Sequence, residues 1–164
     1  MRIGVIADTH IPSRAPKLPD EVQEALSKLD FIIHAGDFTT LEALQQMEKL
    51  NRLVAVRGNM DTGEVREKLP PKRVINVEGV RIGIIHGWGD PHTLPDRVLK
   101  EFQGENVRCI IFGHSHQAMV EERGGVLLFN PGSPTDTIYA HFRSYGILEV
   151  SKEGEVKGEI VRLD

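Results

Sequence analysis

The stretch Ile3-Gly4-Val5-Ile6-Ala7-Asp8-Thr9-His10 begins with apolar residues and ends in side chains that can bind a metal ion. Its apolar part is short and continuous, which is typical of a strand buried on both faces. Asp8 and His10 are two residues apart, and at a strand end such side chains project to the same side. The stretch therefore predicts a central strand that ends in a pair of ligands, although a capped turn explains Asp8-Thr9-His10 alone equally well.

Four more segments repeat this layout, with glycine beside the polar residues where the chain turns. In order, they are Ala35-Gly36-Asp37, Arg57-Gly58-Asn59-Met60-Asp61, Ile85-His86-Gly87 and Phe112-Gly113-His114-Ser115-His116. Each segment is weak evidence by itself, since a Gly-Asp or Gly-Asn pair is usually only a turn. Together they are specific, because independent turns would not place so many ligand types after so many buried strands. Ligands of open α/β sheets bind at the carboxyl ends of the strands, where we expect these segments to converge.

The rest of the chain predicts an α/β fold with more strands than one sheet needs. Buried strands are expected at residues 3–7, 31–34, 53–56 and 108–112. Amphipathic helices are expected after Leu18, after an N-cap at Thr39 or Thr40, and after Pro95. Three hairpins are expected, namely Arg73–Val77 with Val80–Ile85, Met119–Glu122 with Val126–Phe129, and Tyr145–Val150 with Val156–Arg162. We therefore predict two mixed β-sheets packed as a sandwich and flanked by helices.

Length and composition narrow the class of protein. The chain has 164 residues, of which 40% are hydrophobic and 27% charged, so we expect one folded domain over residues 1–164. The net charge of −4 gives no general attraction to nucleic acid or to an anionic membrane, and we expect neither as a partner. Asp8 interrupts the apolar start before a signal sequence can form, and the single cysteine, Cys109, suits a reducing compartment. These features favour a cytoplasmic protein.

The ordered set D-x-H, G-D, G-N-x-D, H-G and G-H-x-H, from Asp8 to His116, resembles the calcineurin-like metallophosphoesterase superfamily. The start Ala7-Asp8-Thr9-His10-Ile11-Pro12 and the later Asn130-Pro131-Gly132-Ser133-Pro134 are similar to its compact branch of small phosphodiesterases. That branch includes the retromer subunit vacuolar sorting protein 29. The resemblance implies that the sandwich has four layers in the order α/β/β/α.

The resemblance also implies a centre of two divalent metals. It assigns Asp8, His10 and His116 to the first metal, Asn59, His86 and His114 to the second, and Asp37 to both. Imidazole and carboxylate ligands without thiolate suit manganese, iron, zinc, cobalt or nickel, and we expect manganese first. Of these ligands, Asp37, Asn59 and His86 are also expected to be catalytic.

The implied reaction is hydrolysis of a small phosphoester by a metal-activated hydroxide. Many protein phosphatases of the superfamily carry histidine where Met60 stands here, and a methionine cannot transfer a proton. We therefore expect phosphodiesters with good leaving groups, such as aryl diesters or nucleotides. Asp61 either supplies a weak acid instead or caps the next helix. The alternative function is a non-catalytic metal-binding scaffold module of the retromer-subunit type. The intact ligand set favours the enzyme, because a pure scaffold has no need for seven ligands of the right kinds.

Other residues receive weaker assignments. Three histidines lie outside the ligand motifs. His34 is expected behind a ligand or in the core, and His92 on a polar surface loop, whereas His141 has no assigned role. Three aromatic residues, Phe38, Trp88 and Phe142, are candidates for an exposed patch that mediates self-association. A place in the core or in a cavity wall suits each of them better. The sequence leaves the natural substrate, the metal identity and the oligomeric state open.

Overall fold

The computed structural model describes residues 1–164 and contains ten strands and four helices. The strands are β1 (Arg2–Ile6), β2 (Phe31–His34), β3 (Leu53–Ala55), β4 (Lys72–Val77), β5 (Val80–Ile85), β6 (Cys109–Ile111), β7 (Met119–Arg123), β8 (Val126–Asn130), β9 (Ser144–Val150) and β10 (Val156–Arg162). The helices are α1 (Asp20–Ser27), α2 (Leu41–Leu50), α3 (Gly63–Lys68) and α4 (Leu94–Glu101).

The strands form two mixed sheets of five strands each. The first has the order β10-β9-β1-β2-β3, and the second has the order β4-β5-β6-β8-β7. Strands β1, β2 and β3 are parallel to one another, as are β5, β6 and β8. The three predicted hairpins are present as β4–β5, β7–β8 and β9–β10. The prediction of two mixed sheets is therefore confirmed.

The two sheets pack face to face with helices outside. A core between the sheets contains Ile3 from the first sheet and Ile82 and Phe129 from the second, all fully buried. Helices α1, α2 and α3 cover the outer face of the first sheet, and α4 covers the second through residues such as Val98. The layers therefore follow the expected order α/β/β/α. None of the helices has the length and apolar character needed to cross a membrane.

Some local predictions differ from the structure. Thr40 is the N-cap of α2, because its side chain accepts the amide hydrogen of Ala43 at 3.2 Å, whereas Thr39 has a left-handed φ of 82°. Helix α3 was not predicted, since its six residues are too few to show a helical pattern. Leu53 and Val54 are only half-buried, because β3 is an edge strand and not a central one.

Phe129 of the second sheet packs against glycines of the first. A Cβ atom added to Gly146 would lie 2.5 Å from Phe129 Cζ, and one added to Gly158 would lie 3.3 Å from the same ring. These two residues belong to β9 and β10, so the ring occupies space that side chains would otherwise fill. The close approach of the two sheets at this point depends on both glycines.

We expect Gly146→Ala to destabilise the protein by about 1–3 kcal/mol, because the new methyl group overpacks the core against Phe129. Chemical denaturation measures this change in the free energy of unfolding. Gly63→Ala is the matched control, since nothing lies within 4 Å of its added Cβ and the position is not left-handed. Equal stability of the two variants would contradict this account of the sheet interface.

Candidate metal centre

The predicted ligand segments meet where the carboxyl ends of the parallel strands of both sheets come together. His86, directly after β5, donates from Nδ1 to the carbonyl of Ala35 after β2, at 2.7 Å. The amide of His114, after β6, donates to Asp8 Oδ2 after β1, at 3.0 Å. These two contacts join the second sheet to the first at the same edge. The position agrees with the general location of ligand sites in parallel sheets.

Five of the seven predicted ligands form one buried cluster. The structure contains two groups whose ligand atoms all lie within 4.8 Å of one another, Asp8 with His10 and His116, and Asp8 with Asp37 and His86. All five side chains are buried. His114 lies outside these groups. Together with Asn59 and three members of the cluster, it lines a cavity of about 670 Å³.

Asp8 uses its two carboxylate oxygens differently. Oδ2 accepts the His114 amide, whereas Oδ1 has no hydrogen-bond partner in the chain. Oδ1 lies 3.5 Å from His116 Nε2 and 3.7 Å from His86 Nε2. One oxygen therefore fixes the neighbouring loop, and the other faces the imidazoles.

Asp37 repeats this arrangement. Its Oδ1 accepts the amide of Met60 at 2.8 Å. Its Oδ2 lies 3.4 Å from His10 Nε2 and 3.2 Å from His86 Nε2. Asp37 therefore stands between the histidines that the sequence assigns to different metals. Asp8 is also shared by the two compact groups, which the sequence did not suggest.

Three of the candidate histidines also have one ring nitrogen engaged and one left over. Nδ1 of His86 donates to a backbone carbonyl, and Nδ1 of His116 lies 2.5 Å from Asp136 Oδ2, so Nε2 of each ring faces the cluster. His114 has the reverse arrangement, since its Nε2 contacts the carbonyl of Gly89 at 2.9 Å and its Nδ1 is left for a ligand. Such outer contacts commonly fix the tautomer and orientation of metal-binding histidines.

The unpaired atoms of the cluster fit a metal ion. Asp8 Oδ1, His10 Nε2 and His86 Nε2 are buried without a hydrogen-bond partner, which is uncommon for buried polar atoms. Two ligands that are each about 2.1 Å from one ion lie roughly 3–4 Å apart. The separations of 3.2–3.9 Å between carboxylate oxygens and imidazole nitrogens match this spacing. The donor set of carboxylates and imidazoles suits a divalent transition metal.

The backbone at the ligands is unusual. Five of the predicted ligands have a left-handed φ between 41° and 72°, namely Asp8, His10, Asp37, His114 and His116. Each such conformation costs on the order of 1 kcal/mol and persists only where surrounding contacts hold it. Gly58 is required beside them, because a Cβ at this position would lie 2.0 Å from Asp37 Oδ1.

The charges of the cluster shift several pKa values. Burial raises the pKa of Asp8 to about 6. Burial acts to lower the pKa of His86, but the negative charges of Asp8 and Asp37 outweigh it and raise this pKa to about 9. Burial also acts to raise the pKa of Asp37, but the positive charge of His86, 3.2 Å away, and the hydrogen bond from the Met60 amide hold it below its ordinary value. Without metal, the proton on His86 balances part of the negative charge.

Asp136 is a site residue that the sequence did not reveal. Its fully buried carboxylate contacts His116 Nδ1 and accepts backbone amide hydrogens from Ile138, Tyr139 and Ala140. Burial acts to raise the pKa of Asp136, but these donors, His116 first, keep it below its ordinary value. The segment Ser133-Pro134-Thr135-Asp136 reads as a turn, and nothing in it points to a histidine 20 residues earlier.

The loop after β8 also supports the ligand loops. Ser133 Oγ donates to the carbonyl of Asp8 at 2.8 Å, and Thr135 Oγ1 donates to the carbonyl of Thr9 at 2.7 Å. The Asn130 amide donates to the carbonyl of Gly113 at 3.0 Å. The segment Asn130-Pro131-Gly132-Ser133 therefore holds the ends of β1 and β6 in place.

Asp61 does not cap the next helix, which is one of the two roles that the sequence left open. Its buried carboxylate accepts the amide hydrogens of Gly58, Asp37 and Thr39 at 2.7, 3.1 and 2.8 Å. Helix α3 begins after Thr62 without a side-chain cap. Asp61 thus joins the loop after β3 to the loop after β2.

The other histidines and the aromatic residues singled out in the sequence lie in the core or at the surface. His34 is fully buried, accepts the Gly36 amide at Nδ1, contacts Thr9 Oγ1 through Nε2 and stacks on Phe38, so neither ring nitrogen is free for a metal. His92 and His141 are exposed. Cys109 and Phe38 are core residues, Phe142 is half-buried, and Trp88 is 46% exposed at the wall of a second cavity that also touches Asn59 and His86.

We expect Asp136→Asn to weaken metal binding by about 10- to 100-fold, because His116 loses the charged partner that orients its ring. Titration calorimetry with Mn²⁺ gives the affinity. Glu153→Gln is the control, because it removes one carboxylate charge at an exposed position. This variant should bind metal like the parent. Unchanged affinity in Asp136→Asn would show that His116 needs no orienting partner.

Metal binding at pH 7 should release close to one proton, because His86 with its pKa of about 9 is protonated before the ion enters. The apparent affinity should rise about tenfold per pH unit from pH 7 towards 9, and fall more steeply below pH 6 as Asp8 also takes a proton. Calorimetry in buffers of different ionisation enthalpy counts the proton, and His92→Gln serves as the control. A flat affinity between pH 7 and 9 would contradict the assignment of His86.

Comparison with known proteins agrees with this geometry. The chain is 35% identical over 167 aligned residues to a protein of Methanocaldococcus jannaschii named as a probable metallophosphoesterase, covering all of this chain and 82% of that protein. The solution structure of the Thermotoga maritima protein TM1076 has 40% sequence identity and a TM-score of 0.76, with 99% of each chain covered. Vps29 of Entamoeba histolytica in complex with Zn²⁺ has 26% identity and a TM-score of 0.74, again with 99% of each chain covered.

The family profile gives the assignment. The profile of the calcineurin-like phosphoesterase superfamily domain matches residues 1–153, which includes all seven predicted ligands. This range is far more than half of the chain, and it agrees with the sandwich fold and with the motifs that meet at the joint between the sheets. The chain therefore belongs to the calcineurin-like phosphoesterase superfamily.

Proposed function

We propose that this protein hydrolyses phosphodiesters with good leaving groups at a centre of two divalent transition metals, manganese first among them. The observation that carries the proposal is the arrangement of Asp37. Its free oxygen lies between His10 and His86, while its other oxygen is fixed by the amide of Met60. This is the position from which one carboxylate can serve two ions.

The remaining ligands follow from the atoms that the chain leaves unpaired. Asp8 Oδ1, His10 Nε2 and His116 Nε2 would hold the first ion. His86 Nε2, His114 Nδ1 and the exposed side chain of Asn59 would hold the second. When bound, two such ions supply a water of lowered pKa and neutralise the charge of the phosphate oxygens.

The chain's own residues determine how a substrate enters and leaves. Asn59 lines the open cavity, where its amide can donate to a phosphate oxygen. Met60 follows it with a side chain that is 58% exposed and cannot protonate a leaving group. The carboxylate of Asp61 is buried and accepts three backbone amide hydrogens, so we do not assign it this role. Leaving groups that depart readily as anions are therefore favoured, so aryl diesters should react faster than alkyl ones.

A scaffold role is the second candidate. The likeness to Vps29 of Entamoeba histolytica favours it, because the resemblance to the retromer subunit implies a scaffold, and the Zn²⁺ complex of that protein is compatible with a scaffold that binds metal. A metal-binding scaffold accounts for the unpaired atoms of Asp8, His10 and His86, but it gives no reason for the open cavity of about 670 Å³ that Asn59 lines beside them. We therefore place the enzyme first.

We expect Asp37→Ala to lower the kcat/KM for an activated aryl phosphodiester by more than about 100-fold, which exceeds the usual effect of a residue behind the ligands. The assay uses metal-stripped protein with Mn²⁺ added back, and a phosphomonoester is run in parallel. The exposed His92→Ala is the control and should retain full activity. Metal binding by the parent without turnover of either ester would support the scaffold role instead.

A further inference from the structure

The cavity beside the cluster has an aromatic wall that the proposed reaction does not use. Tyr139 lines this cavity, and 64% of its surface is exposed. Its ring meets the ring of His116 edge to face, with centroids 5.9 Å apart and an angle of 86°. A large aromatic side chain thus stands open beside a candidate metal ligand.

The backbone that carries Tyr139 is held firmly although its ring is exposed. The amide of Tyr139 donates to Asp136 Oδ2 at 3.1 Å, and the amides of Ile138 and Ala140 donate to the same carboxylate. Asp136 in turn contacts His116. The backbone of Tyr139 is therefore fixed relative to the centre, and the ring contacts His116, which lowers the entropic cost of binding to it.

Arg14 stands next to Tyr139 in the same wall. Its guanidinium carbon lies 5.3 Å from the Tyr139 ring centroid, and its Nε lies 3.7 Å from Asp136 Oδ1. The side chain makes this one ion pair and donates no hydrogen bond within the chain. A guanidinium with free N–H groups beside a phosphoester site can bind phosphate oxygens in pairs.

We propose that Tyr139 and Arg14 recognise phosphoesters that carry a planar aromatic group, which means aryl or nucleoside phosphoesters. The aromatic group stacks on Tyr139, and Arg14 binds an oxygen of the phosphate. A cavity of about 670 Å³ has room for a ligand of nucleotide size. This inference rests on the proposed function, because that function places the phosphate at the centre.

The test measures binding of three phosphates that differ only in the attached group, namely methyl phosphate, phenyl phosphate and thymidine 5′-monophosphate. Calorimetry is done on Mn²⁺-loaded parent, Tyr139→Ala, Tyr139→Phe and Ile138→Ala. We expect Tyr139→Ala to weaken the two aromatic phosphates by about 5- to 100-fold and methyl phosphate by less than twofold. Tyr139→Phe should retain the parent affinities. Ile138→Ala removes an equally exposed neighbour and should change nothing.

Arg14 is tested separately. Arg14→Gln is expected to weaken all three phosphates to a similar extent, because each presents the same oxygens. The metal content of every variant is measured, so that a disturbed His116 is not mistaken for a lost phosphate contact. Equal affinity of Arg14→Gln and the parent for all three would overturn the role of Arg14.

Two results would overturn the role of Tyr139. One is an equal effect of Tyr139→Ala on methyl and aromatic phosphates, and the other is no effect on any. Tighter binding of the thymidine compound than of phenyl phosphate would identify nucleosides as the aromatic source, and the reverse order would identify simple aryl groups.

Turnover of diesters without an aromatic preference leaves the proposed function standing and removes this inference. Selective binding of the aromatic phosphates without turnover of any diester would leave this inference standing and remove the proposed function.

Discussion

Two carboxylates buried at the joint between the sheets, Asp8 and Asp37, are the constraint on which the rest of the site depends. A buried carboxylate is costly unless it is hydrogen-bonded and its charge is met. Each of these two therefore accepts a backbone amide hydrogen from another predicted ligand loop. Asp8 accepts the amide of His114, and Asp37 accepts the amide of Met60. The same contact that satisfies one oxygen fixes a second ligand segment, so the loops position one another.

This interdependence explains why the ligand loops tolerate left-handed backbone at non-glycine residues. Further carboxylates behind the cluster hold the loops in that form. Asp61 gathers three amides from two loops, and Asp136 gathers three amides and a ligand imidazole. The site is thus a network of satisfied polar groups with a few atoms left unpaired at its centre, and stability must come from the apolar layers between and outside the sheets.

The sequence predicted the two sheets and the convergence of the polar segments because both follow from local patterns. A short apolar run that ends in Asp-x-His or Gly-His-x-His carries its own signal of strand and ligand pair. Asp136 carries no such signal, since its partner His116 is distant in sequence and a Thr-Asp pair after proline reads as a turn. Asp61 was recognised as important, but its three amide partners belong to loops that only the packed sheets bring together. Helix α3 was missed because one and a half turns show no periodicity.

Asp136 also links the metal centre to the substrate wall. Its carboxylate fixes the tautomer of His116 on one side, and on the other it holds the guanidinium of Arg14 and the backbone of Tyr139. A shift of this one group would move a metal ligand and both recognition residues in concert. In the proposed mode of binding, the phosphate contacts the metals and the aromatic group contacts Tyr139, so one buried side chain would set the distance between the two subsites. If both proposals hold, specificity and metal geometry are coupled through Asp136, and a change there that alters one will disturb the other.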